Sequence, residues 1–222
     1  MLHAFAGQGG MIISHRHKFI FAAIPKTGTH SVRRALREHL GPDDGEQVGL
    51  FVQSKLPYPP IAAIGHGHIS LAQIRPFVGE EAFSRYFKFA FVRNPWDRFI
   101  SYCAFMTRED SEFAERPREV MRHFLFKARP ADHLLFFPQH VFLTDAQGQL
   151  LTDAVGRVEE MQASYDAIAQ RIGIPSAELD KVNSTRRNDY REYYDRELIE
   201  GVADLYRRDI ELFGYAFEEG AA

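Results

Sequence analysis

The apolar positions of the chain change period several times, and each change marks an element. Phe19-Ile20-Phe21-Ala22-Ala23-Ile24 is a short apolar run without alternation, the pattern of a strand buried on both faces of a parallel sheet. It stops at Pro25. Beyond a polar loop, Val32, Ala35, Leu36 and Leu40 recur at helical spacing, and Gly41-Pro42 supplies the stop. The strand-loop-helix unit returns at Phe87 to Val92, where Asn94 stands as N-cap, Pro95 takes the first helical position, and Trp96, Phe99, Ile100 and Cys103 line one core-facing stripe. An amphipathic surface helix is predicted between Arg116 and Arg129, around Val120, Phe124 and Leu125. Farther on, Val141 to Leu143 and Leu150-Leu151 read as a hairpin turning at Asp145 to Gly148, and Ala154 to Val158 as a short strand. Met161, Tyr165, Ile168 and Ile172 predict a helix, and Ile199, Val202, Tyr206, Ile210 and Phe213 form the stripe of one long C-terminal helix ended by Gly214. The sum is an α/β fold, a mainly parallel central sheet flanked by helices, with ligands expected beyond the carboxyl ends of the strands.

Bulk properties narrow this picture. At 222 residues and 45% hydrophobic content, a single domain spanning residues 1–222 is expected, with residues 1–10 outside its ordered part. The net charge of −3 exerts no global pull on nucleic acid or anionic membrane, so an anion site has to be built locally. The single cysteine, Cys103, excludes an intramolecular disulfide and suits a reducing compartment. No basic segment followed by an apolar stretch opens the chain, and the apolar run at Phe19 is too short to span a bilayer, so the expectation is a cytoplasmic protein without membrane insertion. The histidines His15, His17, His133 and His140 are scattered, which gives no metal cluster. The apolar stripes face either a core or a partner, so oligomeric state is not legible.

Two loops carry the chemistry. Pro25-Lys26-Thr27-Gly28-Thr29-His30-Ser31 lies where a buried strand turns into a helix, so main-chain N–H groups and the positive helix end converge on an anion. Lys26 adds a mobile charge, Thr27, Thr29 and Ser31 add hydroxyl donors, and Gly28 lets a ligand approach the main chain. The loop is P-loop-like in logic, yet it is not a Walker A motif: the lysine precedes the glycine, and no glycine stands five residues before a Gly-Lys-Ser/Thr triplet. The alternative is a polar turn in which Thr29 caps the helix. In the second loop, Arg93 leaves a strand end just before a helix, and Ser101 lies about two turns inside it, leaning back toward the same point. Separate cradles suggest two phosphates.

With both motifs in this order and spacing, the sequence resembles the sulfotransferases that use 3′-phosphoadenosine 5′-phosphosulfate (PAPS), most closely their carbohydrate branch. The likeness extends through Val155 to Met161 and Asn183 to Phe213. It implies that Lys26, Thr27, Gly28, Thr29 and Ser31 hold the 5′ end of PAPS, and of its product adenosine 3′,5′-bisphosphate, while Arg93 and Ser101 hold the 3′-phosphate. His30 stands where the family has a small residue, and either contacts the sulfate or points to solvent. The membrane anchor and paired cysteines of the eukaryotic Golgi enzymes have no counterpart here, which fits a soluble bacterial-type relative.

Gly65-His66-Gly67-His68 follows the apolar run Ile61 to Ile64, and is expected at another strand end on the same rim. Sulfuryl transfer to an alcohol requires a group of near-neutral pKa to take the hydroxyl proton, and histidine suits that task. The segment resembles the His-x-His element of uronyl 2-O-sulfotransferases, which implies His66 or His68 as base; the choice stays open, leaning to His66. The alternative is a glycine-rich surface turn, or half of a metal site. Lys26 would neutralise charge on the departing bridging oxygen, and the scheme needs no metal. Asn183 to Tyr190, with Arg186, either closes over nucleotide or acceptor, as a similar segment does in the family, or is a solvated charge run. The acceptor implied is a hydroxyl compound, a carbohydrate foremost. The rival functions are a P-loop-like nucleotide kinase, disfavoured by the missing Walker A motif, and a non-catalytic nucleotide-binding protein, against which Lys26 and the histidine pair speak.

Overall fold

The computed structural model describes residues 10–47, 56–180 and 189–217. In chain order its elements are β1 (Ile12–Ser14), β2 (Phe19–Ala22), α1 (Thr29–Arg37), β3 (Gly45–Glu46), α2 (Pro59–Ala62), α3 (Leu71–Val78), α4 (Glu80–Arg85), β4 (Phe87–Val92), α5 (Pro95–Met106), α6 (Glu112–Glu115), α7 (Pro117–Arg122), β5 (Ala154–Arg157), α8 (Met161–Ile172), α9 (Arg196–Leu205) and α10 (Arg207–Phe213). They fall into two compact units, residues 1–92 with 141–182, and residues 93–140 with 183–222.

The first unit contains a five-stranded sheet in the order β3-β1-β2-β4-β5. Strands β2, β4 and β5 run parallel, as the repeated strand-loop-helix pattern predicts. The sheet as a whole is mixed rather than mainly parallel, because β1 pairs antiparallel with both β2 and β3. The short link from Ser14 to Phe19 allows β1 and β2 to pair only antiparallel, since a parallel crossover needs a dozen or more residues. Phe19 and Phe21 on β2, with Phe89 and Phe91 on β4, point to one face and are buried with Val32 and Leu36 of α1 and Tyr165, Ile168 and Ile172 of α8. The Phe21 and Phe89 rings lie 5.3 Å apart. The unbroken apolar run at Phe19 thus resolves into phenylalanines on one face and Ile20 and Ala22 on the other. Gly156 of β5 accommodates this packing: a Cβ there would lie 2.7 Å from Phe91 Cε1.

Three expectations change. Ile61 to Ile64 is no strand: Pro59 and Pro60 open the helical turn α2, where their fixed φ and missing N–H are tolerated, whereas a strand would lose ladder bonds. The predicted hairpin is reduced to one antiparallel bridge, Thr144 to Leu150, around the turn at Asp145. The long C-terminal helix is α9 and α10, broken at Tyr206 (φ −111°, ψ 25°). The stripe from Ile199 to Phe213 keeps its period across that break, so spacing alone does not reveal it.

In the second unit, α5 starts as its sequence demands, with Asn94 Oδ1 accepting from Trp96 N at 3.0 Å and Pro95 in the first turn. Trp96, Phe99, Ile100 and Cys103 are buried. The basic segment begins as α7 and continues as a π-helical turn over His123–Ala128, with Val120, Met121 and Leu125 inward. No helix among the described residues is long and apolar enough to cross a membrane.

Candidate functional site: two anion loops and a histidine pair

The loop after β2 has left-handed main chain at two positions. Lys26 (φ 66°) and Gly28 (φ 67°) are both left-handed, in a turn of the kind that gathers successive N–H groups on one side. Gly28 also sits at the N-cap of α1, where no side chain caps the helix. A Cβ on Gly28 would meet only the flexible tip of Met161, Cε at 2.3 Å, so the positive φ is what calls for glycine. The residues of the loop alternate in exposure. Lys26, Gly28 and His30 are half-buried, whereas Thr27, Thr29 and Ser31 are buried. Thr27 Oγ1 donates to Ile24 O at 3.0 Å, and Ser31 Oγ donates to Asp180 O at 2.6 Å. Their hydroxyl hydrogens therefore hold the loop to its own unit. Burial lowers the pKa of His30, and Arg33, Lys26 and Arg37 lower it further. The imidazole is accordingly neutral in a neighbourhood already cationic, which suits an anion.

The histidine pair is brought to this loop by the sheet. Ile12 pairs with both Phe21 and Glu46, so Gly10 and Met11 reach the end at which β2 and β3 terminate. There Met11 N donates to Gly67 O at 2.8 Å, and Gln47 N donates to Met11 O at 2.9 Å. His68 Nδ1 lies 2.7 Å from Ala23 O, three residues before Lys26. A carbonyl only accepts, so Nδ1 carries the hydrogen and Nε2 is the basic nitrogen. His68 is buried, and its ring stacks on that of His66 at 6.4 Å between centroids. His66 is half-buried; its Nδ1 has no hydrogen-bond partner among the described residues, and burial lowers its pKa. Within this unit the pair lies beside the main chain that leads into the Lys26 loop, in a bend and not at the strand end that the sequence predicts.

Several residues that hold this segment were not singled out from sequence. A Cβ on Gly67 would lie 2.4 Å from Gly10 Cα and 2.6 Å from Gln47 O, so the glycine between the histidines is there for main-chain contact. Gln47, fully buried, donates Nε2 to Ile61 O at 3.0 Å and Ile64 O at 3.2 Å. Ser70 forms a capping box with Gln73 at the start of α3, directly after His68-Ile69. That Ser-x-x-Gln signal is legible in the sequence.

The second loop lies in the other unit. Arg93 is the first residue after β4, and its Nε and Nη2 both lie 2.6 Å from Asp97 Oδ2. Asp97 and Ser101 are one turn apart on α5 and so share a face of that helix. Ser101 is half-buried. The Arg93 main chain is gripped by Gln139, whose role the sequence did not disclose. Arg186 lies outside the described residues. No group of three metal-ligating side chains occurs among the described residues.

A model of the sulfotransferase family matches residues 9–216. An uncharacterized protein of Archaeoglobus fulgidus is 30% identical over 122 residues, 53% of this chain and 93% of that protein. Human carbohydrate sulfotransferase 14 is 23% identical over 186 residues, 74% of this chain, and the match spans 47% of the human protein's length. No solved structure matches. With the family match covering nearly the whole sequence, the chain belongs to the sulfotransferase family.

Proposed function

We propose that the protein transfers a sulfuryl group from PAPS to a hydroxyl of a carbohydrate acceptor, with a histidine of the His66-Gly67-His68 segment as general base. The observation that carries this reading is the 2.7 Å contact between His68 Nδ1 and Ala23 O. It ties an imidazole of defined tautomer to the strand that runs into the Lys26 loop. The loop itself suits an anionic donor, through a half-buried cation, left-handed main chain and a helix start that no side chain caps. PAPS supplies an activated sulfuryl group on a phosphate leaving group, and the match to a human carbohydrate sulfotransferase supports a sugar as acceptor.

In this mechanism Lys26, Gly28 and the start of α1 hold the 5′ end, with His30 beside the sulfate and the buried Thr27, Thr29 and Ser31 shaping the loop. Arg93 and Ser101 take the 3′-phosphate, with Arg186 in a supporting role. His68 Nε2 accepts the proton of the acceptor hydroxyl as its oxygen bonds to sulfur. The bond from sulfur to the bridging oxygen breaks with its electron pair on that oxygen, where the Lys26 ammonium neutralises the growing charge. The tautomer of His68 favours it as base over His66, which stacks beside it. The protein forms no covalent bond to the transferred group, so rate depends on positioning and charge stabilisation.

The test begins with calorimetric titration by adenosine 3′,5′-bisphosphate, 5′-AMP and ATP with magnesium. Binding that requires the 3′-phosphate and collapses in Arg93→Ala is expected. An acceptor screen with PAPS then compares His66→Asn and His68→Asn, with the larger loss of turnover expected in the latter. Preference for ATP would overturn the proposal in favour of a kinase, and binding without turnover on any sugar would favour a non-catalytic binder.

A further inference from the structure

In the second unit the segment from Leu135 to His140 is held by buried charges of opposite sign. Arg98, 1% exposed, donates Nη2 to Phe137 O at 2.7 Å and to Leu135 O at 3.3 Å. Asp209, 0% exposed and in the first turn of α10, accepts from Gln139 N at 2.7 Å, His140 N at 2.8 Å and His140 Nδ1 at 2.7 Å. Burying a guanidinium and a carboxylate is costly, and the proposed function makes no use of either. What they fix in place is Gln139, itself fully buried. Its Oε1 accepts from Arg93 N at 2.9 Å, and its Nε2 donates to Arg93 O at 2.9 Å. The amide thereby copies both main-chain partners of a neighbouring strand, at the residue where β4 has ended. A carboxylate cannot do this because it lacks the donor, and asparagine is one methylene shorter.

We infer that Gln139, aimed by Asp209 and Arg98, is a positioning residue for recognition of the donor's 3′-phosphate: it fixes the main chain of Arg93 and so the direction in which the guanidinium is presented. Asp97 completes the arrangement from the side-chain end, 2.6 Å from Nε and Nη2. The inference rests on the proposal that Arg93 takes the 3′-phosphate. A bidentate guanidinium-phosphate contact depends on orientation, so loosening the main chain weakens it without removing any group that touches the ligand.

The experiment compares wild type with Gln139→Met, which has similar length and neither hydrogen bond, by calorimetric titration with adenosine 3′,5′-bisphosphate and with 5′-AMP. The quantity read is the ratio of the two affinities, which isolates the 3′-phosphate. In Gln139→Met that ratio is expected to fall roughly tenfold, the worth of one charge-assisted hydrogen bond, with 5′-AMP affinity unchanged. Asp209→Asn is expected to shift it in the same direction by less. A residue that only held the fold would lower the melting temperature and leave the ratio alone, so a wild-type ratio in folded Gln139→Met overturns the inference. If Gln139→Met does not fold, Gln139→Glu and Asp209→Asn decide by the same criterion. A ratio near one in the wild type overturns the Arg93 assignment itself, and the inference with it.

Discussion

Substituting Gly67 by alanine tests whether the histidine segment is positioned by main-chain contact. The new methyl carbon would lie 2.4 Å from Gly10 Cα, 2.6 Å from Gln47 O and 2.9 Å from Gly10 N. Carbon atoms settle about 3.5–4.0 Å apart, so the segment has to retreat by roughly 1 Å. No flexible side chain is available to absorb that, because every atom in the way is main chain. The retreat pulls on the Met11 N to Gly67 O bond of 2.8 Å and on the His68 Nδ1 contact to Ala23 O of 2.7 Å. Overpacking of this kind costs about 1–3 kcal/mol of stability. A displacement of roughly 1 Å in a reacting group costs on the order of 10²-fold in turnover. Gly65 provides the control, since a Cβ there meets nothing within 4 Å. Gly65→Ala is expected within about 0.5 kcal/mol of wild type and fully active. The assay is release of adenosine 3′,5′-bisphosphate from PAPS with a sugar acceptor, together with urea unfolding and imidazole nitrogen shifts that report the His68 tautomer. A folded Gly67→Ala protein with turnover within about threefold of Gly65→Ala would refute the reasoning, because no tenth of the expected loss would be present.

Two further outcomes follow from buried titratable groups. Glu46 has a side chain only 6% exposed, with Oε1 3.0 Å from Arg33 Nε and Oε2 2.6 Å from Arg37 Nε. Glu46→Gln leaves the Arg33 guanidinium buried without its counter-charge and should destabilise the protein by about 3–5 kcal/mol in urea unfolding; a loss under about 1 kcal/mol would contradict the burial. Burial also holds the pKa values of His30, His66 and His133 below the ordinary 6.5. The unfolded chain then takes up protons first as pH falls, so the contribution of these groups to stability is present above pH 6.5 and is lost as pH drops through 6.5 toward their folded values. The slope of unfolding free energy against pH in that window should be positive and shallower in His66→Asn; an unchanged slope would show that His66 is not desolvated.

The parts of the site that were legible in the sequence are those governed by neighbours along the chain. The end of the apolar run before Pro25, the glycine before α1, and Asn94-Pro95 at the start of α5 are local signals, because caps and turns are satisfied within a few residues. The hydrophobic run at Phe19 and the stripe from Trp96 to Cys103 located the core for the same reason: burial follows periodicity. Local signals also misled where a non-local choice intervened. Ile61 to Ile64 is apolar enough for a strand, yet the two prolines before it start a helical turn that Gln47 holds through the carbonyls of Ile61 and Ile64.

What only tertiary structure decided is which distant groups meet. His68 is tied to Ala23, 45 residues away in sequence, and Gln139 reaches Arg93 across 46. Asp209 bonds to Gln139 across 70, although a hint was available, since the acid stands between Tyr206 and Phe213 on a buried stripe where a charge requires a partner. The sequence by itself determined the two loops and the residue types that suit an anion, because strand ends and helix starts are set by local sterics and hydrogen bonding. The mixed order of the sheet, the tautomer of His68 and the grip on Arg93 depend on long-range pairing, and long-range pairing is chosen by the packing of the whole core rather than by any stretch of the chain.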